Sequence, residues 1–256
     1  MIAIIDYGVG NLFSLSASLN HLGLESAVTD DPELIDRAEK VILPGVGAFG
    51  DAAAKLRGRG LEPVLGRQVA AKKPLLGICL GMQLLFERSS EYGEHLGLGY
   101  IKGSVRSLAE DLEGFAAEGE ARGQGWPALK VPHMGWSALR FIRPEDPLLK
   151  YIKEGDYVYY VHSFYGKDCG ESLVAVSDYG VTVPGVVRQG NVWGCQFHPE
   201  KSGDVGLRIL KAFGELAWAG PEGGELGASG PARMTGYGQE IQDGALGCLL
   251  YTSRCV

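Results

Sequence analysis

The segment Pro74–Gln83 reads P-L-L-G-I-C-L-G-M-Q, and it decides the fold that we predict for this chain of 256 residues. Its first half, Leu75–Ile78, is a short apolar run that is typical of a strand buried on both faces. Glycines lie two residues before and two residues after Cys79, and the composition of Met82–Glu87 favours a helix. This pattern predicts a sharp strand-to-helix turn that exposes one side chain at the carboxyl end of a sheet.

Two interpretations of Cys79 are open from this segment alone. In the first, Cys79 is a nucleophile, and the N-terminus of the following helix stabilises its thiolate form. In the second, Cys79 is one of the many cysteines that are simply buried in a protein core.

The composition restricts the class of protein. Hydrophobic residues make up 45% of the chain, which excludes general disorder. The formal net charge of −7 argues against nucleic acid or an anionic membrane as the main partner. The five cysteines show neither the spacing of a metal site nor a disulfide framework, so we expect no metal, no cofactor and a reducing cytoplasm. We see no signal peptide and no apolar run that could cross a bilayer.

Strand and helix patterns alternate over the first third of the chain. Strands are predicted at Ile2–Ile5, Glu25–Thr29, Val41–Leu43 and Leu75–Ile78, and helices after Asn11, from Asp30–Pro32, and at Asp51–Arg57 and Leu61–Ala71. This alternation predicts an α/β fold with a doubly wound, mostly parallel sheet and helices on both faces.

The pattern changes beyond Gly97. Strands without intervening helices are predicted at Gly99–Val105, Val131–Leu139, Tyr157–His162, Ser172–Val176 and Val183–Phe197, with a hairpin turn at Gln189–Asn191. We therefore expect an antiparallel extension of the sheet. Leu108–Lys130 is predicted to be a surface loop or a short helix, and Val205–Trp218 a last amphipathic helix.

We predict one domain over residues 1–218 and a tail over residues 219–256. The composition after Gly220 is rich in glycine and aperiodic, so we expect no packed structure there. The stretch C-L-L-Y-T-S at Cys248–Ser253 can also be encoded by read-through of a sequencing-library transposon end. The tail is thus either disordered or an assembly artefact.

Two further segments follow predicted strands and carry groups that a nucleophile needs. P-G-V-G-A-F-G at Pro44–Gly50 leaves the N–H groups of Val46 and Gly47 uncovered, so it is either a plain tight turn or a source of oxyanion donors. A late strand ends in H-P-E, where His198 and Glu200 are either a polar turn or a base with an orienting carboxylate.

The glycine-rich loop at Pro44–Gly50, the turn at Cys79 and the H-P-E segment at His198–Glu200 follow one another along the chain. Together they resemble the class I glutamine amidotransferase family over residues 1 to about 218. The resemblance implies a flavodoxin-like fold and the hydrolysis of glutamine to glutamate and ammonia. It implies that Cys79 is the nucleophile, that His198 is its base and that Glu200 orients the imidazole.

The resemblance also implies which groups surround this catalytic triad of Cys79, His198 and Glu200. The N–H of Leu80 and that of Val46 or Gly47 would form the oxyanion hole. Gly45 and Gln83 are the predicted contacts to the substrate.

Several segments resemble one branch of that family, whose members form a heterodimer with a (β/α)₈-barrel cyclase subunit and supply it with ammonia in histidine biosynthesis. They are I-D-Y-G-V-G-N-L (Ile5–Leu12), P-G-V-G-A-F (Pro44–Phe49), P-H-M-G-W (Pro132–Trp136), Y-V-H-S-F-Y (Tyr160–Tyr165) and H-P-E-K-S-G (His198–Gly203). The resemblance implies an interface near the carboxyl edge of the sheet, with predicted contacts from Tyr7, Asn11, Trp136, Tyr165 and Lys201. The chain departs from this branch at Ser137, where an Asn is common, and in a longer Leu108–Lys130 segment.

Three alternatives compete with this interpretation. A glutaminase could instead serve a pyridoxal phosphate, anthranilate or carbamoyl phosphate synthase, but the Ile5–Leu12 and Pro132–Trp136 segments argue against this. The intact triad argues against a non-catalytic regulatory subunit on the same scaffold. In a cysteine hydrolase of the α/β-hydrolase type the acid precedes the histidine, whereas Glu200 follows His198.

Overall fold

An eight-stranded sheet organises the fold, and the computed structural model describes residues 1–121, 129–218 and 220. In chain order, the strands are β1 (Ile2–Ile5), β2 (Ser26–Thr29), β3 (Lys40–Leu43), β4 (Leu75–Ile78), β5 (Phe86–Ser89), β6 (His95–Leu96), β7 (Ile101–Ser107), β8 (His133–Ala138), β9 (Arg140–Phe141), β10 (Tyr157–His162), β11 (Phe164–Lys167), β12 (Leu173–Tyr179), β13 (Val181–Gln189) and β14 (Val192–Cys195). The α-helices are α1 (Leu12–His21), α2 (Pro32–Arg37), α3 (Phe49–Gly58), α4 (Leu61–Ala70), α5 (Leu80–Leu84), α6 (Leu108–Ala121) and α7 (Gly203–Gly214).

The large sheet has a parallel half and an antiparallel half. The parallel strands lie in the order β2, β1, β3, β4 and β14, and the antiparallel strands β13, β12 and β9 follow. The predicted mostly parallel sheet with an antiparallel extension is therefore confirmed. Because β4 lies between β3 and β14, the loops that follow these three strands meet at one edge of the sheet.

Helices cover both faces of the parallel half, as predicted. In β1, Ile4 belongs to the same buried cluster as residues of α1 and α7, whereas Ile5 belongs to a cluster with residues of α3 and α4. Successive side chains of a strand point to opposite faces, so both faces of β1 are covered by apolar side chains. This explains why the parallel strands read as unbroken apolar runs in the sequence.

The start of each early helix follows from a local capping group. The Asn11 side chain accepts a hydrogen bond from Ser14 N at the start of α1. Asp31 does the same for Glu33 N at the start of α2, where Pro32 is the first helical residue.

The turn at Cys79 between β4 and α5 is called the elbow below. The segment that follows it differs from the prediction. The helix spans Leu80–Leu84 and not Met82–Glu87, because the chain enters strand β5 at Phe86. This strand joins a separate four-stranded sheet, in the order β11, β7, β5 and β6. Buried Phe86 packs in the same cluster as residues of β4, which explains why this part of the chain does not continue as a helix.

The part of the chain from α6 to β10 also differs from the prediction. A 14-residue helix, α6, begins at Leu108 where we predicted a loop or a short helix. The predicted strands around β8 and β10 pair with each other in a two-stranded ribbon and do not extend the large sheet.

The last helix ends at Gly214, not at Trp218. Apart from Gly220, the predicted tail at residues 219–256 lies outside the described residues.

The elbow between β4 and α5 is tightly packed against β3. A Cβ atom added to Gly81 would lie 1.8 Å from the Leu43 carbonyl oxygen, and one added to Gly77 would lie 2.7 Å from Gly81 O. Cys79 itself adopts φ +53° and ψ −112°, a backbone conformation that is strained for a residue with a side chain. Glycine on both sides is thus required by close backbone approach.

We predict that Gly81→Ala lowers the free energy of unfolding by about 4 kcal/mol or more, because the Leu43 carbonyl cannot move without disturbing β3. Gly58→Ala, in α3, is the matched control, since no atom lies within 4 Å of its added Cβ. It should raise stability by up to about 1 kcal/mol. Urea denaturation measures both, and equal effects of the two substitutions would contradict this account of the elbow.

Candidate active site

Three neighbouring strands bring the predicted site residues together at the carboxyl edge of the sheet. The Pro44–Gly50 loop follows β3, Cys79 follows β4, and His198 lies three residues after the end of β14. The Cys79 N–H donates to the Cys195 carbonyl at 2.7 Å, which ties the elbow to the neighbouring strand. The three segments are far apart in sequence, and only the strand order makes them adjacent.

His198 lies between the thiol and the carboxylate. Its Nδ1 is 2.8 Å from Oε1 of Glu200, and both side chains are only 3% exposed. Its side chain also forms a hydrogen bond with Cys79, which is 7% exposed. A histidine that donates from Nδ1 to a carboxylate presents its other ring nitrogen to the thiol, as a general base must.

The environment of His198 favours its protonated form. Burial by itself lowers the pKa of His198, but hydrogen bonds with Cys79 and Glu200, together with the charges of those two groups, raise it overall. An imidazolium held between a thiolate and a carboxylate can return a proton to a leaving group.

A cavity of about 330 Å³ opens beside these groups, which is within the size range of small-molecule sites. It is lined by Val46, Gly47, Cys79, Leu80, Gln83, Glu91, Pro132, Val161, His162, Ser163, Phe164, His198 and Lys201. Of the predicted residues, Glu200 lies behind His198 and Gly45 borders a small neighbouring void. The other predicted triad, oxyanion and substrate residues all line the cavity.

The loop after β3 lies directly against the elbow. The Leu80 N–H, a predicted oxyanion donor, donates to the Gly45 carbonyl at 3.3 Å. A Cβ atom on Gly45 would lie 2.7 Å from Gly81 N, so only glycine allows this approach. Gly47 has φ +96° and Val46 is exposed. In this conformation one predicted oxyanion donor is therefore engaged by the loop itself.

The structure restricts how Gln83 can meet a ligand. Its Nε2 donates to the Phe164 carbonyl at 2.8 Å and to Oε1 of Gln196 at 3.1 Å. Both hydrogens of the amide are used, so a substrate contact from Gln83 would involve its carbonyl oxygen.

Sequence reasoning missed several residues at the site. Glu91 lines the cavity and accepts a hydrogen bond from Phe49 N at 2.6 Å, and burial raises its pKa against the effect of that bond. Gln196 is fully buried, with its Nε2 at 3.9 Å from the Cys79 sulfur. Gln196 lies two residues before His198, and that proximity was a usable signal. Nothing in the pattern around Glu91 pointed to the site.

The predicted partner contacts divide into buried and exposed residues. Tyr7 is fully buried and donates its hydroxyl to the Pro44 carbonyl at 2.7 Å. Tyr165 is 3% exposed and donates to Asp111 at 2.7 Å. These two are not surface residues, so the prediction of surface contacts is wrong for both, because each aromatic ring fills the interior. Trp136 is 54% exposed and Lys201 is exposed, whereas half-buried Asn11 caps α1.

A pair of buried histidines connects the cavity to the β8–β10 ribbon. Nδ1 of His162 is 3.0 Å from the Phe164 carbonyl, which can only accept, so this nitrogen carries the proton. His162 Nε2 must then accept from Nδ1 of His133 at 3.0 Å. Nε2 of His133 in turn accepts from the Ser137 hydroxyl at 2.9 Å. The acceptor at one end thus determines both tautomers.

No metal or membrane feature is found in the described ranges. Over residues 1–121 and 129–218, no group of three or more His, Cys, Asp or Glu side chains could hold a metal ion. Within the same part of the chain, no helix has both the length and the apolar character needed to span a bilayer.

The family described as "Glutamine amidotransferase class-I" matches residues 3–215. The chain belongs to this family. The narrower resemblance is confirmed by relatives named imidazole glycerol phosphate synthase subunit HisH. One from Listeria monocytogenes is 46% identical over 86% of this chain and 97% of its own length. One from Bacillus cereus is 50% identical over 83% and 93% respectively.

Solved structures support the same fold. A structure titled "Crystal structure of glutamine amidotransferase" aligns with a TM-score of 0.61 at 20% identity, over 84% of this chain and all of that one. A second, "Structure of PurLQS from Thermotoga maritima", aligns with a TM-score of 0.62 at 18% identity, over 83% and 96%. At this identity the two structures bear on the fold alone.

The two buried histidines predict how stability depends on pH. Burial is the main cause that lowers the pKa of His162 to about 3 and that of His133 to about 4, and their mutual repulsion lowers that of His162 further. In the unfolded chain both titrate near pH 6.5. Below that pH the unfolded state binds more protons, so the free energy of unfolding should fall by up to about 1.4 kcal/mol per pH unit for each histidine down to about pH 4.

Urea denaturation at several pH values between 6.5 and 4.5 measures this slope. His162→Gln should reduce it by about half, because one of the two titrating groups is removed. His21→Gln replaces an exposed histidine at the end of α1 and should leave the slope unchanged. If His162→Gln kept the full wild-type slope, the assignment to the pair would be wrong.

Proposed function

We propose that this chain is the glutaminase subunit of imidazole glycerol phosphate synthase. It hydrolyses glutamine to glutamate and ammonia, and it passes the ammonia to a cyclase subunit in histidine biosynthesis. The observation that carries the proposal is His198, which is hydrogen-bonded to both Cys79 and Glu200 at the wall of a cavity. The HisH relatives at 45–50% identity support the choice of synthase.

The chemistry follows from these three side chains. The Cys79 thiolate attacks the side-chain amide carbon of glutamine and forms a tetrahedral intermediate. His198 gives its proton to the amide nitrogen, the C–N bond breaks, and ammonia leaves a thioester behind. Water then attacks the thioester while His198 takes its proton, and glutamate and the thiol are released. Glu200 holds the imidazole in the required tautomer and stabilises its positive form.

The oxyanion of the tetrahedral intermediate needs donors that the loop after β3 controls. Leu80 N–H and the N–H of Val46 or Gly47 are the proposed pair. The Leu80 N–H is bonded to the Gly45 carbonyl in the present conformation, so this carbonyl has to move before Leu80 can serve the oxyanion. We infer that loop movement at Gly45 and Gly47 gates the reaction, since one such donor contributes about 3 kcal/mol to lowering the barrier.

The amino-acid end of glutamine requires groups for an ammonium and a carboxylate. The Glu91 carboxylate lines the cavity and is the acid suited to the ammonium. The Gly45 backbone and the Gln83 carbonyl oxygen remain proposed contacts to the same end of the substrate. Lys201, exposed at the cavity wall, is available to the substrate carboxylate or to a partner.

The chain is a subunit, and we propose that its partner is a (β/α)₈-barrel cyclase of the HisF type, in a cytoplasmic heterodimer. The β8–β10 ribbon presents three large exposed side chains, Met134, Trp136 and Tyr157, next to the cavity-lining Pro132. Exposed apolar residues of this size are typical of a binding surface. A partner seated there would cover the cavity and keep ammonia from water. Asn11 and Lys201 are the further proposed contacts.

Cys79→Ala separates glutaminase chemistry from the synthase reaction. With the cyclase subunit present, the variant should lose glutamine-dependent synthesis by about 1,000-fold or more, because the nucleophile is gone. Synthesis from added ammonium salts should be retained. Cys169→Ala, a buried cysteine that does not line the cavity, is the control and should retain both activities. Glutamine-dependent synthesis by Cys79→Ala would overturn the proposed function.

If movement of the Gly45–Gly47 loop gates the reaction, the isolated subunit should have low glutaminase activity. Adding the cyclase subunit with its nucleotide ligand should raise the rate of glutamate release by roughly a hundredfold or more, the effect expected for one oxyanion donor. Coupled glutamate assays with the subunit alone, with the cyclase, and with cyclase plus ligand measure this. Equal rates in all three conditions would contradict gating by the Gly45–Gly47 loop.

A further inference from the structure

The side chain of Gln196 is oriented by a chain of hydrogen bonds that begins at a backbone carbonyl. The Phe164 carbonyl can only accept, so the atom of Gln83 that lies 2.8 Å from it must be the amide nitrogen. The second hydrogen of that nitrogen points to Gln196 at 3.1 Å, so Gln196 must present its oxygen there. The Gln196 amide nitrogen therefore faces the Cys79 sulfur, at 3.9 Å.

The backbone of Gln196 is held as firmly as its side chain. Its N–H donates to the Gly185 carbonyl at 3.0 Å, and the residue is fully buried directly after β14. The neighbouring Cys195 carbonyl accepts the Cys79 N–H. The donor and the sulfur are thus carried by two backbone segments that are bonded to each other.

A fixed N–H aimed at sulfur distinguishes the two protonation states of a thiol. It interacts more strongly with a thiolate than with a neutral thiol, because the donor is attracted to the negative charge. In a buried site this attraction is weakly screened. An amide turned the other way would place an oxygen lone pair against the sulfur and would have the opposite effect.

We propose that Gln196 is a positioning residue of the nucleophile, which stabilises the Cys79 thiolate through its amide N–H, and that Gln83 sets its orientation. The inference rests on the proposed function, since it concerns how the same thiol is activated. It gives Gln83 a task that does not involve the substrate. The titratable groups that face this part of the site from other elements are His198, Tyr7, His162, Glu91 and Lys201.

The test is the pH dependence of alkylation of Cys79 by iodoacetamide in the full chain, followed on the Cys79 peptide by mass spectrometry. Gln196→Met keeps an unbranched side chain of similar length and removes the donor. We expect the midpoint of the alkylation profile to rise by about one pH unit, which is about a tenfold loss of rate at a pH below both midpoints. An unchanged midpoint in a folded Gln196→Met protein would overturn the proposal.

Two further glutamine-to-methionine substitutions separate this effect from a loss of packing. Gln68 in α4 is also buried and donates from its amide to the Val64 carbonyl, but it does not line the cavity. Gln68→Met should lower thermal stability and leave the midpoint unchanged. Gln83→Met should raise the midpoint by less than Gln196→Met, because the donor stays but its orientation is no longer set.

Each outcome bears on a defined part of the proposal. A rise in Gln68→Met equal to that in Gln196→Met would mean that general loosening moves the midpoint, and would overturn it. An unchanged midpoint in Gln83→Met would overturn the orienting role of Gln83. If Gln196→Met does not fold, comparison of Gln83→Met with Gln68→Met still decides whether the hydrogen bonds from Gln83 to Gln196 affect the protonation of the Cys79 sulfur. The alkylation needs neither glutamine nor the cyclase, so its result is independent of the test of the proposed function with Cys79→Ala.

Discussion

The contact on which the site depends is the close approach of the elbow to strand β3. Gly81 lies so near the Leu43 carbonyl that a Cβ atom would sit 1.8 Å from it. This approach brings the loop after β3 over Cys79, and it allows Gly45 to reach the Leu80 N–H. The strain at Cys79 is maintained because the surrounding backbone leaves it no alternative. The position of Cys79 and the contact between the loop and the Leu80 N–H therefore have the same structural origin.

The second constraint is the Phe164 carbonyl, which accepts the last hydrogen bond of two series of hydrogen-bonded side chains. One comes from the exposed ribbon through Ser137, His133 and His162, and the other runs from Gln83 to Gln196 beside the nucleophile. Because a carbonyl accepts only, it determines two histidine tautomers and two amide orientations at once.

The side chains of the proposed triad are held in the interior of the fold at some cost in stability. One oxygen of Glu200 is 2.8 Å from His198, while the other has no hydrogen-bond partner among the described residues. A buried polar atom left unpaired typically costs about 1–3 kcal/mol. The attraction between Glu200 and the imidazolium offsets part of this cost, and the rigid turn after Pro199 keeps the two side chains together. Such local conflict is expected where function, and not stability alone, selects the residues.

The amino-acid sequence by itself predicted the first four strands of the parallel half of the sheet, the elbow, and Cys79, His198 and Glu200 as the proposed triad, because periodicity, glycine spacing and motif order are local properties. It placed the segment of β14 in the antiparallel extension, whereas β14 pairs in parallel with β4. It did not reveal the ribbon of β8 and β10, the length of α6 or the burial of Tyr7 and Tyr165, because strand partners and burial depend on contacts across the chain. Only the tertiary structure decided that Glu91 and Gln196 reach the site and that Gly45 engages the Leu80 N–H. The physical reason is that a hydrogen bond is set by the position of both partners in space, which no single segment encodes.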